Sequence, residues 1–114
     1  MGLFGTVSGK DIDQFAKSLA EAVAKRYPPS LERSAEKKVS VTRVTKVLED
    51  ALANAAEFAK QKKLGTFNKA RLGNSFKWEL KELGYGERFI EVATEGLIVY
   101  ITRRDAGDAG AAPK

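Results

Sequence analysis

The sequence predicts an α+β domain in which three helices precede a C-terminal β-hairpin. Apolar residues recur every three or four positions in three segments, 12–23, 44–59 and 72–83, and the period changes to two over 88–102. A chain of 114 residues with 43% hydrophobic residues suits one domain with one core. We therefore expect a single folded unit over 11–104, preceded by a flexible lead-in over 1–10. The small side chains of 105–114 offer nothing to bury, and they predict a disordered tail.

The first predicted helix runs from about Asp11 to Tyr27. Its apolar face comprises Ile12, Phe15, Leu19 and Val23. Ser8 and Asp11 have the spacing of a capping box, which places the start near Lys10. The two prolines at 28–29 end the helix, because a proline ring removes a backbone donor and restricts the residue before it.

The second predicted helix has about five turns and includes an apolar, alanine-rich face over 44–59. Either Ser40 or Thr42 could cap it. The alternation of valines over 39–41 also permits a short strand before this helix. Gly65 follows Lys62, Lys63 and Leu64. Cations followed by a glycine are typical of a helix C-terminus with a left-handed residue, so we expect the helix to end there.

The third predicted helix covers about Asn68 to Leu83. Its apolar stripe comprises Leu72, Phe76, Leu80 and Leu83. Gly84 closes it in the manner of a helix C-cap. Gly73 within the helix either permits a close contact with another helix or marks a break between two shorter pieces.

The hairpin is predicted from two β-branched and aromatic runs, 88–93 and 97–102, which flank a glycine-containing turn over 94–96. A two-residue loop would place alternating residues on one face that packs against the core. These are Ile90, Val92, Val99 and Ile101.

The order of helix, short strand, helix, helix and hairpin resembles the winged-helix topology over roughly 11–103. The resemblance is one of element order, and it implies that the second and third helices form a helix-turn-helix with the hairpin as the wing. The alternative is a plain α+β domain whose three helices pack on one face of the hairpin.

The chain contains no His and no Cys, which excludes imidazole and thiolate catalysis, Cys/His metal sites and disulfides. Carboxylate pairs such as Glu79 and Glu82, three positions apart, are typical of solvated helix surfaces. Neither a dinucleotide-binding loop nor a phosphate-binding lysine motif occurs. We therefore expect a binding protein without catalytic activity, metal or cofactor.

The basic residues of the chain cluster in one segment, 60–71. They are Lys60, Lys62, Lys63, Lys69 and Arg71. No acidic residue falls in this segment, and the other basic residues equal the acidic ones in number, so the segment accounts for the whole net charge of +5. It spans the junction of the second and third predicted helices, where a helix N-terminus and several cations suit a phosphate.

Two functions remain open for this segment. In the first, it binds nucleic acid or another polyanion, and Phe67 stacks on a base or simply packs. Lys69 and Arg71 favour this function, because cations in the first turn of a helix are unfavourable unless an anion offsets them. In the second, the lysines only stabilise a helix C-terminus and keep the surface soluble.

Trp78 and Tyr100 are candidates for stacking or for contact with a partner. Trp78 lies off the stripe of the third helix, where we expect it to pack on the hairpin rather than to remain exposed. Tyr100 lies on the outer face of the hairpin together with Phe89 and Ile98. The alternative to nucleic-acid binding is therefore a protein-interaction module, or a homodimer, that uses this hairpin surface.

The longest apolar run, Leu97 to Ile101, is far shorter than the roughly 18 residues that cross a bilayer. The opening residues lack the basic region and the apolar stretch of a secretory signal. Together with the absence of Cys, these features predict a cytoplasmic protein without a membrane span.

Overall fold

The computed structural model of the chain describes residues 8–33 and 41–110, with side chains over 8–32 and 44–102. These residues form five helices: α1 (Gly9–Arg26), α2 (Pro29–Arg33), α3 (Val41–Gln61), α4 (Thr66–Leu83) and α5 (Glu87–Gly110). They contain no strand.

The predicted α+β class is wrong, because the segment assigned to the hairpin is the single helix α5. Its buried residues recur at helical spacing. They are Phe89, Ile90, Ala93, Leu97 and Ile101. Val92 and Val99, which the hairpin would place in the core, are 47% and 46% exposed. A 3.6-residue period therefore decides which apolar side chains this segment buries.

Gly96, interpreted from the sequence as a turn residue, lies within α5. A Cβ atom at this position would lie 3.4 Å from Leu52 Cδ1 of α3. This is an ordinary van der Waals distance, so the packing of α5 on α3 would also accept a Cβ atom here. The intrinsic cost of a glycine inside a helix is about 1 kcal/mol.

The ends of the predicted domain fall partly outside the described residues. Val41 begins α3 instead of ending a strand, and residues 39–40 of that predicted strand are not described. Of the predicted lead-in, 1–7 are likewise not described. α5 runs as far as Gly110, into the segment predicted as a tail, and 111–114 lie outside the described part of the chain.

The long helices form a bundle in which the closest pairs are α1 with α4, α3 with α5, α4 with α5, and α1 with α3. Thus α3 and α4, although consecutive, each pack mainly against α1 and α5. The helix-turn-helix that the winged-helix resemblance implies is also wrong, because that motif requires its two helices to pack against each other.

Contacts along the helices fix their directions. Arg26 bonds Asp50, and Phe15 stacks on Phe58 with ring centroids 4.0 Å apart, so α1 and α3 run antiparallel. Asp13 bonds Ser75, whereas the carbonyl of Tyr27 accepts from Tyr85 beyond the end of α4, so α1 and α4 run parallel.

The start of α1 is as predicted. Ser8 caps it, with its side-chain oxygen accepting a hydrogen bond from the Asp11 N–H at 3.1 Å. The helix ends at Arg26, just before the two prolines. Pro29 then opens the short helix α2, since a proline is tolerated in the first turn.

The α3–α4 link, residues 62–65, has a different left-handed residue from the one that the sequence predicts. The residue in the left-handed region is Lys63, with φ of 51°, whereas Gly65 is extended and forms the N-cap of α4. The Leu64 N–H bonds the Ala59 carbonyl at 3.0 Å, and the Lys63 N–H bonds the Lys60 carbonyl at 3.2 Å, which together form a Schellman motif. Leu64 is buried at this end of the bundle.

The same motif ends α4, where the left-handed residue is Gly84, with φ of 99°, as predicted. Glycine adopts this region without strain, whereas a lysine has a Cβ that crowds the backbone. We therefore expect Lys63→Gly to raise the free energy of unfolding by about 0.5–1 kcal/mol in urea denaturation. Lys62→Gly, next to it but without positive φ, is the control and should not stabilise the protein.

Gly73 lies in the middle of an unbroken α4, so of its two predicted roles the structure supports the close contact. A Cβ atom there would lie 2.6 Å from Ile98 Cδ1 of α5. The glycine therefore lets Ile98 pack directly on the backbone of α4, with α4 and α5 running antiparallel.

Hydrogen bonds to the end of α1 and to α2 fix the connection between α4 and α5. Tyr85 donates its hydroxyl proton to the buried carbonyl of Tyr27 at 2.6 Å, and its ring stacks on Phe89. Burial is the main reason why the pKa of Tyr85 rises to about 12. Glu32 accepts a hydrogen bond from the Gly86 N–H at 3.0 Å, which satisfies a backbone donor at the start of α5.

Candidate functional site

The five predicted cations lie along the α3–α4 junction, but they do not form one equivalent set. Lys60 is in the last turn of α3, and Lys62 and Lys63 form the link. Lys69 and Arg71 lie in the first two turns of α4. Lys69 is half-buried and, like Lys60, already has an interaction partner. Lys62 and Lys63 are exposed, and neither ammonium group bonds any residue that the structure describes.

Arg71 is engaged in a structural contact. Its Nε and Nη2 atoms donate to the two carboxylate oxygens of Asp13 on α1 at 3.2 and 2.9 Å. Ser75 donates to the same carboxylate at 2.6 Å. The absence of a side chain at Gly9 makes room for the guanidinium, since a Cβ atom there would lie 2.6 Å from Arg71 Cζ.

This arrangement overturns the sequence argument that Arg71 needs an external anion. Asp13 offsets the cation that would otherwise disfavour the start of α4, and it does so in a bidentate geometry that Arg suits. Arg71 therefore serves mainly to join α1 to α4. The part of the candidate site that is free to bind a ligand reduces to the exposed lysines of the link.

The Asp13 contact predicts how stability depends on pH. Hydrogen bonds from Arg71, then from Ser75, hold the pKa of Asp13 below its usual value of 3.8. The stabilisation is complete above the pKa of the unfolded chain, and it is lost as the pH falls through the lower pKa of the folded protein. In Asp13→Asn, we expect a smaller difference between the free energies of unfolding at pH 7 and at about pH 3.

Urea denaturation at the two pH values measures this difference. Some acid sensitivity should remain in Asp13→Asn, because Arg26 also lowers the pKa of Asp50. Arg71→Gln, which removes the other member of the pair, should reduce the difference in the same direction. An unchanged difference in Asp13→Asn would contradict the structural role assigned to the Asp13–Arg71 pair.

Phe67 is the most exposed large apolar side chain among those described, at 79%. It lies in the first turn of α4, directly after the link that carries Lys62 and Lys63. The N-cap residue Gly65 supplies no side-chain hydrogen bond, and no acidic residue lies in the first turn of α4. The first-turn N–H groups therefore lie beside an exposed aromatic ring and two lysines.

Trp78 is 52% exposed, so the prediction that it packs into the fold is wrong. The ammonium nitrogen of Lys81 lies 5.0 Å from the centre of its ring. Phe67 and Trp78 are eleven residues apart, which is about three turns and about 16 Å along one face of α4. Two of the three aromatic residues that the sequence proposed for stacking, Phe67 and Trp78, thus face solvent on the same helix.

Tyr100 is half-buried on α5 and has an interaction partner of its own. The hairpin surface on which we expected a partner or a second subunit does not exist, because Phe89, Ile98 and Tyr100 belong to a helix. Phe89 is buried, and Ile98 packs on α4. Because this segment is a helix, the hairpin surface predicted for a dimer is wrong.

The sequence also missed a groove between α4 and α5. Its charged residues are Lys77, Lys81, Glu87, Glu91 and Glu95. The four-residue spacing of the glutamates would have indicated a common face only if this segment had been assigned to a helix.

Among the described residues, no helix is long and apolar enough to cross a membrane. The same part of the chain contains no group of three or more carboxylates that could hold a metal ion. Comparisons of the chain with protein-family models, with curated proteins and with solved structures give no match.

Proposed function

We propose that this protein binds nucleic acid through the exposed α3–α4 link and the adjoining face of α4. The observation that carries the proposal is the placement of Phe67, 79% exposed, four positions after Lys63 and five after Lys62, whose ammonium groups bond no described residue. An aromatic ring beside cations can stack on a base while the ammonium groups contact the phosphates on either side of it.

The charge distribution supports a polyanion as the ligand. The segment 60–71 carries the whole net charge of +5, and the pairing of Arg71 with Asp13 leaves its lysines as the excess cations. Cations that neutralise phosphates release counterions from the nucleic acid, so the affinity should fall as the salt concentration rises. The exposed N–H groups in the first turn of α4 add a favourable site for one phosphate.

The exposed aromatic residues favour a single strand over a duplex. Bases in a duplex already stack on each other, whereas an unpaired base can stack on Phe67. Trp78, about 16 Å further along the same helix face, offers a second platform that a strand of a few nucleotides can reach. Its neighbour Lys81 places a cation beside it.

Trp78 is the only tryptophan of the chain, so its fluorescence reports directly on this face of α4. We expect a single-stranded oligonucleotide to quench it, and a duplex of the same length to quench it less. The affinity should fall steeply between about 50 and 200 mM salt. Phe67→Ala should weaken single-strand binding by roughly 1–3 kcal/mol and leave duplex binding little changed.

The double variant Lys62→Glu with Lys63→Glu should bind more weakly. The slope of log affinity against log salt concentration should also decrease, by the amount expected for the loss of about two phosphate contacts. The matched control is Lys17→Glu with Lys25→Glu, which changes the net charge equally on exposed positions of α1. If both pairs weaken binding to the same extent, the attraction is only that of the net charge. That result, or no binding at low salt, would refute the proposal.

A further inference from the structure

The groove between α4 and α5 has a volume of about 560 Å³. It lies near the α4–α5 connection, whereas the α3–α4 link is next to the opposite end of α4. Tyr85 and Ile90 are buried residues that line it, and Thr94 lines it from α5. The hydroxyl of Tyr85 is already bonded to Tyr27, so the groove presents the tyrosine ring rather than a free hydroxyl.

The two walls of the groove have opposite charges. Lys77 and Lys81 form the α4 wall, and Glu87, Glu91 and Glu95 form the α5 wall. In each wall the charged residues are four positions apart, so they follow one helix face at intervals of about 6 Å.

These charges face each other without pairing. Lys77 and the three glutamates make no ion pair with any residue that the structure describes, and Lys81 lies over the ring of Trp78. Within the described structure, the two walls therefore do not neutralise each other. An occupant that neutralises both walls of the groove must bring acidic groups to the α4 wall and basic groups to the α5 wall.

We propose that the occupant is a second copy of this chain, bound by the same groove in a symmetric dimer. Charge complementarity carries the proposal. A two-fold axis that runs along the groove places the lysine wall of each copy opposite the glutamate wall of the other. A two-fold axis across the groove would instead oppose like charges, so the charge pattern selects the first arrangement.

The first arrangement also suits the helices. Because α4 and α5 run antiparallel within one copy, the rotation along the groove sets α4 of one copy antiparallel to α5 of the other. Four helices then pack around the former groove.

One consequence rests on the proposed function. Rotation about an axis along the groove keeps both α3–α4 links at the same end of the dimer. A single nucleic-acid strand could then contact both links, which raises the affinity above that of one copy without any new contact.

Sedimentation velocity over a concentration series, up to about 1 mM, tests the dimer without nucleic acid. We expect the wild-type protein to dimerise and to dissociate as salt is added. Lys77→Glu with Lys81→Glu should weaken dimerisation more than about ten-fold, and so should Glu91→Lys with Glu95→Lys. Circular dichroism confirms that each variant is folded.

A mixture of the two charge-reversed variants is the decisive measurement. Each variant has two like-charged walls, but together they restore opposite charges at both contacts, so native mass spectrometry should detect a heterodimer. Lys62→Glu with Lys63→Glu should leave dimerisation intact, which separates this proposal from nucleic-acid binding. A monomeric wild-type protein, or dimers that persist in both charge-reversed variants, would overturn it.

Discussion

Leu97→Ala is expected to lower the free energy of unfolding by about 2–5 kcal/mol. Leu97 is fully buried in α5, so its truncation removes apolar contacts and leaves a cavity that the surrounding helices fill only in part. Such a loss is a large part of the 5–15 kcal/mol that stabilises a typical domain. Urea denaturation followed by circular dichroism at 222 nm measures it, since that signal follows helix content.

Val99→Ala is the matched control, two residues further along the same helix. Val99 is 46% exposed, and alanine is the better helix former, so we expect a change within about 0.5 kcal/mol. A hairpin would give the opposite result for this variant, because Val99 would then face the core and favour a strand. A loss at Val99→Ala as large as that at Leu97→Ala would therefore contradict the helical assignment.

The hairpin was mispredicted because two kinds of signal conflict in 88–102. Locally, β-branched residues on both sides of Gly96 favour strands and a turn. The helical period is present as well, in Ile90, Ala93, Leu97 and Ile101, but Ala93 is too small to mark a core position in a sequence pattern. Gly96 packs beside Leu52 of α3, and a partner that is 44 positions earlier cannot be inferred from local sequence.

The first three long helices were predictable because each carries both a strong apolar stripe and an end signal. Ser8 and the proline pair at 28–29 delimit α1, and Gly84 ends α4. Gly65 was misassigned because lysines followed by glycine are typical of a C-cap. The structure instead ends α3 at Gln61 and places the left-handed residue at Lys63, two positions before Gly65, followed by the buried Leu64.

The sequence predicts which cations lie in the candidate site, but not which of them form ion pairs with the rest of the protein. The clustering of cations in 60–71 is visible in the sequence, and the structure leaves Lys62 and Lys63 exposed, as a binding surface requires. The engagement of Arg71 by Asp13 depends on the parallel packing of α1 and α4, and the two residues are 58 positions apart. Sequence spacing therefore indicated where the charge lies, whereas tertiary structure determines which charges are available.

Phe76→Ala is expected to cost about 3–5 kcal/mol of unfolding free energy. Phe76 is the largest of the fully buried side chains, and it faces the core from the middle of α4. Its removal should lower the urea midpoint with little change in the denaturant slope, because the folded state keeps its compactness. At urea concentrations where the variant remains folded, its affinity for a single strand should match that of the wild type.

Trp78→Ala, two residues away on the same helix, should behave in the opposite way. Two residues turn a helix by about 200°, so the core face that holds Phe76 and the outer face that holds Trp78 are nearly opposite. We expect Trp78→Ala to change stability by less than about 1 kcal/mol, because its side chain is 52% exposed, and to weaken single-strand binding measured with a labelled oligonucleotide. If Trp78→Ala instead destabilised the protein as much as Phe76→Ala, the two faces of α4 would not be divided between folding and binding.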